Sequence, residues 1–221
     1  MHWKLLLEGT KKNKKYEPAY AKALKDLCWG PADFDMHKNM QVVEEFLRAW
    51  MSWRRGLDTD RLKNIWGKEI EPYARALQGC SLEGLDLDEI VEVGAERVRV
   101  GMAIEHMYGT LLTVEGVGET NASKILHLRL PDLVVITDMK IRKDMKPSGI
   151  DLFSPHGYTF EFLPYVKKEI REAVCSLSRE KGISQADAEE CLRNTRGWRR
   201  SLAKLAEEYF YLRRYAGQFS V

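Results

Sequence analysis

Apolar residues recur at three- and four-residue steps over nearly the whole chain, a spacing that packs helices against one another, and no strand alternation appears. Val42, Val43, Phe46, Leu47, Trp50 and Trp53 stripe residues 39–53, and Leu62, Ile65, Trp66 and Ile70 stripe the next segment. A first helix is expected over 16–28, ended by Trp29-Gly30-Pro31. Asp86 with Glu89 three residues on reads as a capped start for a helix over 87–93, followed by another over 96–112. Residues 148–159 read as loop. Beyond them, 163–180 carries Leu163, Val166, Ile170, Val174 and Leu177, and Gly182 stops it. Ser184 with Asp187 opens a short helix to Arg193, and Trp198, Leu202, Leu205, Tyr209 and Leu212 stripe the last one. The 221 residues suffice for one large domain or two small ones sharing a cleft.

A formal net charge of +2 does not announce a nucleic-acid binder. The distribution is more suggestive: Lys11, Lys12, Lys14 and Lys15 cluster, as do Lys140, Arg142, Lys143 and Lys146, and Arg193, Arg196, Arg199 and Arg200. Such clusters neutralise phosphates, although each alone reads first as a solvated helix face. Cys28, Cys80, Cys175 and Cys191 lack the spacing of a zinc ribbon or an iron–sulfur cluster, so no Fe–S cluster is expected. The opening MHWKLLLEG has too short an apolar run for a secretion signal, and no stretch approaches a membrane span. The expectation is a soluble, reduced, intracellular protein, with no membrane partner.

Gly116-Val117-Gly118 is the most informative feature. Met102, Ile104, Met107, Tyr108, Leu111 and Leu112 form a helical pattern before it; Ala122, Ile125, Leu126 and Leu128 form one after it. Two glycines around one apolar residue allow a tight turn with positive φ, and Val117 can point inward to staple the helices. The second helix then begins near Glu119 with unpaired amides, which together with the helix dipole attract a phosphate. Such a grip positions a nucleic-acid backbone without reading its sequence.

Val114-Glu115-Gly116-Val117-Gly118, then Ala122, then Asp138 twenty residues after Gly118, resemble the helix-hairpin-helix DNA glycosylase superfamily, of the endonuclease III, adenine glycosylase and 8-oxoguanine glycosylase type. The close match runs from Leu112 to Lys143; outside it only the helical order agrees. The resemblance implies an all-α fold of two helical subdomains flanking a cleft: residues 39–130 as a barrel ending in the hairpin, and residues 1–38 with 131–221 as the other. It implies a monomer that binds double-stranded DNA and excises a damaged or modified base. No cofactor is required for that chemistry and no catalytic metal is expected, with room for a structural monovalent cation at the hairpin carbonyls.

Two positions depart from the family pattern. Glu115 stands where a proline is usual, and a carboxylate there weakens a phosphate grip. Thr120 stands where lyase members carry lysine, and a threonine forms no Schiff base. The resemblance therefore implies a monofunctional enzyme that releases a base without cutting the strand. The alternatives are a bifunctional glycosylase/lyase using Lys124 or Lys140 as a displaced amine, and a DNA-binding module without chemistry.

Breaking an N-glycosidic bond leaves the sugar with oxocarbenium character, and a carboxylate near C1′ stabilises it. Asp138, following the apolar Val134-Val135-Ile136, is the candidate, and it also suits a helix N-cap. Extruding a base leaves a gap that a side chain fills, and aromatics hold the base. The resemblance implies a gap-filling loop after an early helix of the central domain, which by order is Arg54 and Arg55 with Gly56 and Leu57, with Trp50 and Trp53 at its lip. His106 and Tyr108 are further pocket candidates, with His127 and Tyr158 behind them. Gly116, Val117, Gly118, Glu119, Lys124, Lys140 and Arg142 complete the expected DNA contacts.

Overall fold

The computed structural model describes residues 2–12, 17–29, 35–50, 56–194 and 199–215. The chain is mostly helical, as the spacing of its apolar residues requires. Helix α1 (Trp3–Lys12) packs on α11 (Leu202–Tyr215) and on α9 (Leu163–Lys181). Helix α2 (Glu17–Asp26) lies on α3 (Met36–Ala49), which is capped by Asp35 accepting from the Lys38 amide at 2.9 Å. Thus α2 leans on a helix that the sequence reading assigned to the other half.

Asp58 caps α4 (Thr59–Ile65), which runs through a π-helical turn (Trp66–Ile70) into α5 (Glu71–Ala76). Glu71 is buried there and receives Arg129 through Nε at 3.2 Å and Nη2 at 3.1 Å, together with the Trp66 indole at 3.1 Å. That cluster ties the end of α7 (Glu119–Arg129) to the π-turn. Helix α6 (Val100–Leu112) packs on α7, and α8 (Met139–Met145) packs on α11. Helix α9 ends at Gly182 in the left-handed conformation (φ 65°), and Ser184 caps α10 (Gln185–Arg193). No helix among the described residues is long and apolar enough to cross a membrane.

Two segments differ from the sequence reading. Residues expected to form a helix over 87–93 and the start of the next over 96–112 instead form an antiparallel hairpin, β1 (Ile90–Val93) with β2 (Glu96–Arg99), pairing Ile90 with Arg99 and Val93 with Glu96. Asp86 accepts from the Asp88 amide rather than capping a helix. The β-branched Ile90, Val91 and Val93 with Gly94 at φ 62° favour the tight turn, and Val91 faces Val98 on the half-buried side. The stretch read as loop ends in a π-helical turn (Gly157–Phe162) that leads directly into α9.

Candidate functional site

Between α6 and α7 the chain turns over six residues, 113–118. Gly116 has φ 82°, and a Cβ built there would meet the Gly56 carbonyl oxygen at 2.5 Å, so both conformation and space demand glycine. The Asp58 amide donates to the Glu115 carbonyl at 3.3 Å and fastens the turn to the loop before α4. Val117 is buried in the core while Gly118 on the other side of the turn is exposed. Gly118 opens α7 in an extended conformation, with Glu119 and Thr120 half-buried in its first turn. The Asn121 side-chain amide donates to the Gly116 carbonyl at 3.1 Å and braces the turn from the first turn of α7.

The segment between α7 and α8 is held by side chains rather than by a ladder. His127 Nδ1 donates to the Val134 carbonyl at 2.5 Å, and its Nε2 accepts from the Tyr20 hydroxyl at 2.7 Å. Burial pushes His127 from 6.5 down to about 3, so the ring stays neutral and fits both roles. The Tyr158 hydroxyl accepts from the Val135 amide at 3.1 Å and donates to the Val135 carbonyl at 2.7 Å. Ser123 Oγ accepts from the Thr137 amide at 3.0 Å, binding α7 to the residue just before Asp138. Asp138 then caps α8: its Oδ1 accepts from Lys140 at 2.9 Å and Ile141 at 2.7 Å. One oxygen takes both amides, which fixes the half-buried carboxylate and leaves Oδ2 for other work.

Beside it lies a buried charged cluster that the sequence reading did not assemble. Lys124 is only 5% exposed, and its Nζ sits 5.1 Å from the centroid of the Trp50 ring. Lys204 Nζ lies 4.9 Å from the centroid of the same indole and 5.1 Å from that of Tyr20. Glu207 and Glu208, both buried, engage Lys204; Arg200 reaches Glu208 at 3.7 Å and pairs with Glu17. Burial lowers the Lys124 amine to about 8, Lys204 adding to the effect while Glu207 and Asp138 oppose it. Lys204 is held above its usual range, because Glu207 and Glu208 outweigh the burial of its charge. Tyr20, Lys204, Glu207 and Glu208 carried no signal in the sequence, since Lys204 with Glu207 and Glu208 at helical spacing reads as a solvated face.

The remaining expected site residues fall elsewhere. Tyr108 is fully buried, stacked on Tyr158 at 4.4 Å between centroids, and its hydroxyl donates to the Glu119 carbonyl, so it braces the hairpin. His106 packs on Tyr73 at 4.5 Å between centroids and lies 3.7 Å from Glu69, on the π-turn side of α6. Arg142 is a correction: it is 2% exposed, 3.7 Å from the Glu119 carboxylate and over the Phe153 ring, so it is an internal charge and not a surface phosphate contact. Lys140 stays partly exposed on the first turn of α8. Trp53, Arg54 and Arg55 lie outside the described residues.

Among the described residues no group of three or more histidine, cysteine or carboxylate side chains is arranged to hold a metal ion. A groove of about 1030 Å³ along α9, lined by Leu85, Lys167, Lys168 and Arg171 among others, shares no residue with the Asp138 cluster. Comparison with family models, curated proteins and solved structures finds no significant match to this chain.

Proposed function

We propose that the protein is a DNA N-glycosylase of the helix-hairpin-helix type, releasing a damaged or modified base with Asp138 as the charge-stabilising carboxylate. The reading rests above all on Asp138: one carboxylate oxygen is fixed by two helix amides while the other is left over, in a half-buried position next to α7. Support comes from the glycine turn, whose exposed Gly118 leaves the first amides of α7 open to a phosphate. A duplex held by that turn presents the sugar of an extruded nucleotide to the carboxylate. As the glycosidic bond lengthens, positive charge grows on C1′ and the ring oxygen, and the fixed anion stabilises it. Trp50, which the sequence reading put at the lip of the base pocket, lies among Lys124, Lys204, Tyr20 and Phe46. On this reading the partner is double-stranded DNA inside the cell, bound by a single copy of the chain.

The test is a panel of duplexes carrying uracil, a thymine mismatch, 8-oxoguanine, alkylated purines or enlarged pyrimidines, each incubated with the purified protein and then heated in alkali. Strand breaks at one lesion are the expected result. Asp138→Asn should keep DNA binding and lose about a hundredfold or more in single-turnover base release, the scale of losing one key electrostatic group. DNA binding without a break at any lesion would leave a binding module, and an undiminished rate in Asp138→Asn would remove that carboxylate from the chemistry.

A further inference from the structure

The groove along α9 has a charge pattern that the rest of the molecule does not explain. One side is the loop before β1, with Leu85 and Leu87. The other is the stretch of α9 from Pro164 through Lys168, Arg171 and Cys175 to Arg179, in steps of four, three, four and four that keep these side chains on one side of the helix. Val166, Ile170, Ala173, Val174 and Leu177 bury the opposite side in the core. Lys167 joins Lys168, Arg171 and Arg179 in the groove, and none of the four forms an ion pair among the described residues. Three of them donate only to backbone carbonyls: Lys167 to Leu85, Arg171 to Glu83 at 3.3 Å, and Arg179 to Cys175 at 3.3 Å. Elsewhere Lys4, Lys22, Arg129 and Arg193 each meet a carboxylate. Burial, with the Arg171 charge beside it, holds the Lys167 amine below its usual range, and Asp86 offsets this only in part.

Three features select the ligand. The lining combines apolar side chains with unpaired cations, so it suits a molecule that is anionic and apolar at once. Lys168 and Arg179 stand eleven residues apart, about 16 Å of helix rise, so a small anion meets one of them and only a chain meets both. Asp86 and Glu172 also line the groove. They repel a nucleic-acid strand, which is negative at every phosphate and offers little to Leu85 and Leu87, whereas a peptide can carry both signs. We propose that the groove docks an acidic segment of a partner protein, with apolar side chains against Leu85 and Leu87 and carboxylates against Lys168, Arg171 and Arg179. A helix or an extended chain laid along such a groove is a recurrent mode of peptide recognition, and carboxylates there form charge-assisted hydrogen bonds with the open cations. The site uses neither Asp138 nor the glycine turn, and it is independent of the glycosylase reading.

The probe is a displayed library of random peptides of about 16 residues, long enough to follow the groove as a helix, selected on the purified full chain. Enriched peptides are then synthesised and their affinity is measured by fluorescence anisotropy. The expected sequences are rich in Asp and Glu with leucine-like residues between them. Binding should weaken about tenfold or more in the double variant Lys168→Glu with Arg179→Glu, since each reversal turns an attraction into a repulsion. The control double variant, Lys25→Glu with Lys68→Glu, has the same net charge but is altered at exposed positions outside the groove, and it should bind as wild type does. Urea midpoints report folding; if the reversed variant is unfolded, Lys168→Ala with Arg179→Ala is read in its place. No enrichment, enriched peptides without acidic bias, or equal weakening in the two double variants overturns the proposal. So does an equal loss of affinity for an undamaged DNA duplex in the groove variant, which would make the groove a nucleic-acid surface. Unchanged base release in that variant supports a site separate from Asp138.

Discussion

Lowering the pH from 7 to 5 should remove about 2 kcal/mol of folding stability through one side chain, His127. The ring is fully buried, donating through Nδ1 to the Val134 carbonyl and accepting at Nε2 from Tyr20, whose phenol is itself held protonated by burial. The neutral imidazole fits both bonds as it stands, whereas a charged ring would be held out of water on the same side as the Lys204 cation. Burial accordingly lowers its pKa from 6.5 to about 3, against the opposing pull of the Val134 carbonyl. The sign follows from where protons bind. Between these two values the unfolded chain takes up a proton that the folded chain refuses, so stability is full above the upper value and falls as the pH drops towards the lower. Each pH unit within the window costs about 1.4 kcal/mol, and pH 5 lies about one and a half units into it. Urea melts of wild type and His127→Gln at pH 7 and pH 5 isolate the effect, since all other titrations are shared. Wild type should lose about 2 kcal/mol more than the variant over this interval. Parallel losses would refute the assignment of a buried, neutral ring.

Gly116→Ala should cost about 1–2 kcal/mol for the left-handed backbone alone, and more because the new Cβ meets the Gly56 carbonyl; a lower urea midpoint and weaker DNA binding in a gel-shift assay are the measurements. Ser123→Ala strands the buried Thr137 amide, at about 1–3 kcal/mol. By loosening the residue before Asp138 it should also slow single-turnover base release at saturating protein while leaving duplex affinity unchanged; a change in affinity with an unchanged rate would contradict the positioning role.

What could be read from the sequence is what is decided locally. Gly182 ends a helix and Ser184 starts one because each acts on its own turn, through a left-handed φ and an acceptor for the Asp187 amide. Gly116 is legible for the same reason. At 86–99, two local signals compete: the Asp86–Glu89 spacing suggests a helix, while Ile90, Val91 and Val93 before Gly94 suggest a hairpin, and cross-strand pairing of Val91 with Val98 favours the hairpin. Arg142 illustrates a different limit. In sequence it belongs to a basic cluster with Lys140, Lys143 and Lys146, and only the path of α8 over the hairpin decides which of these cations is buried. The cluster around Lys204 lies beyond local reasoning altogether, since it forms where α11 meets Trp50 on α3, Tyr20 on α2 and Lys124 on α7.

That cluster also bears on where the chemistry resides. Burying a charge costs several kcal/mol even after relaxation, and apolar residues of similar volume usually replace a buried ion pair without loss. Lys204, Glu207 and Glu208 are nonetheless all buried on α11, whose neighbouring positions Leu202, Ala203, Leu205 and Ala206 are apolar and equally enclosed, and Arg200 is buried just before that helix. Glu207 and Glu208 hold the positive charge on Lys204, and that charge adds to the lowering of the Lys124 amine that burial begins. Meanwhile Ser123, His127 and Tyr158 hold the 134–137 backbone, so Asp138 is anchored independently of that charge. The Asp138 cap and the buried charge cluster are thus supported by separate sets of residues, so a change in one should not displace the other.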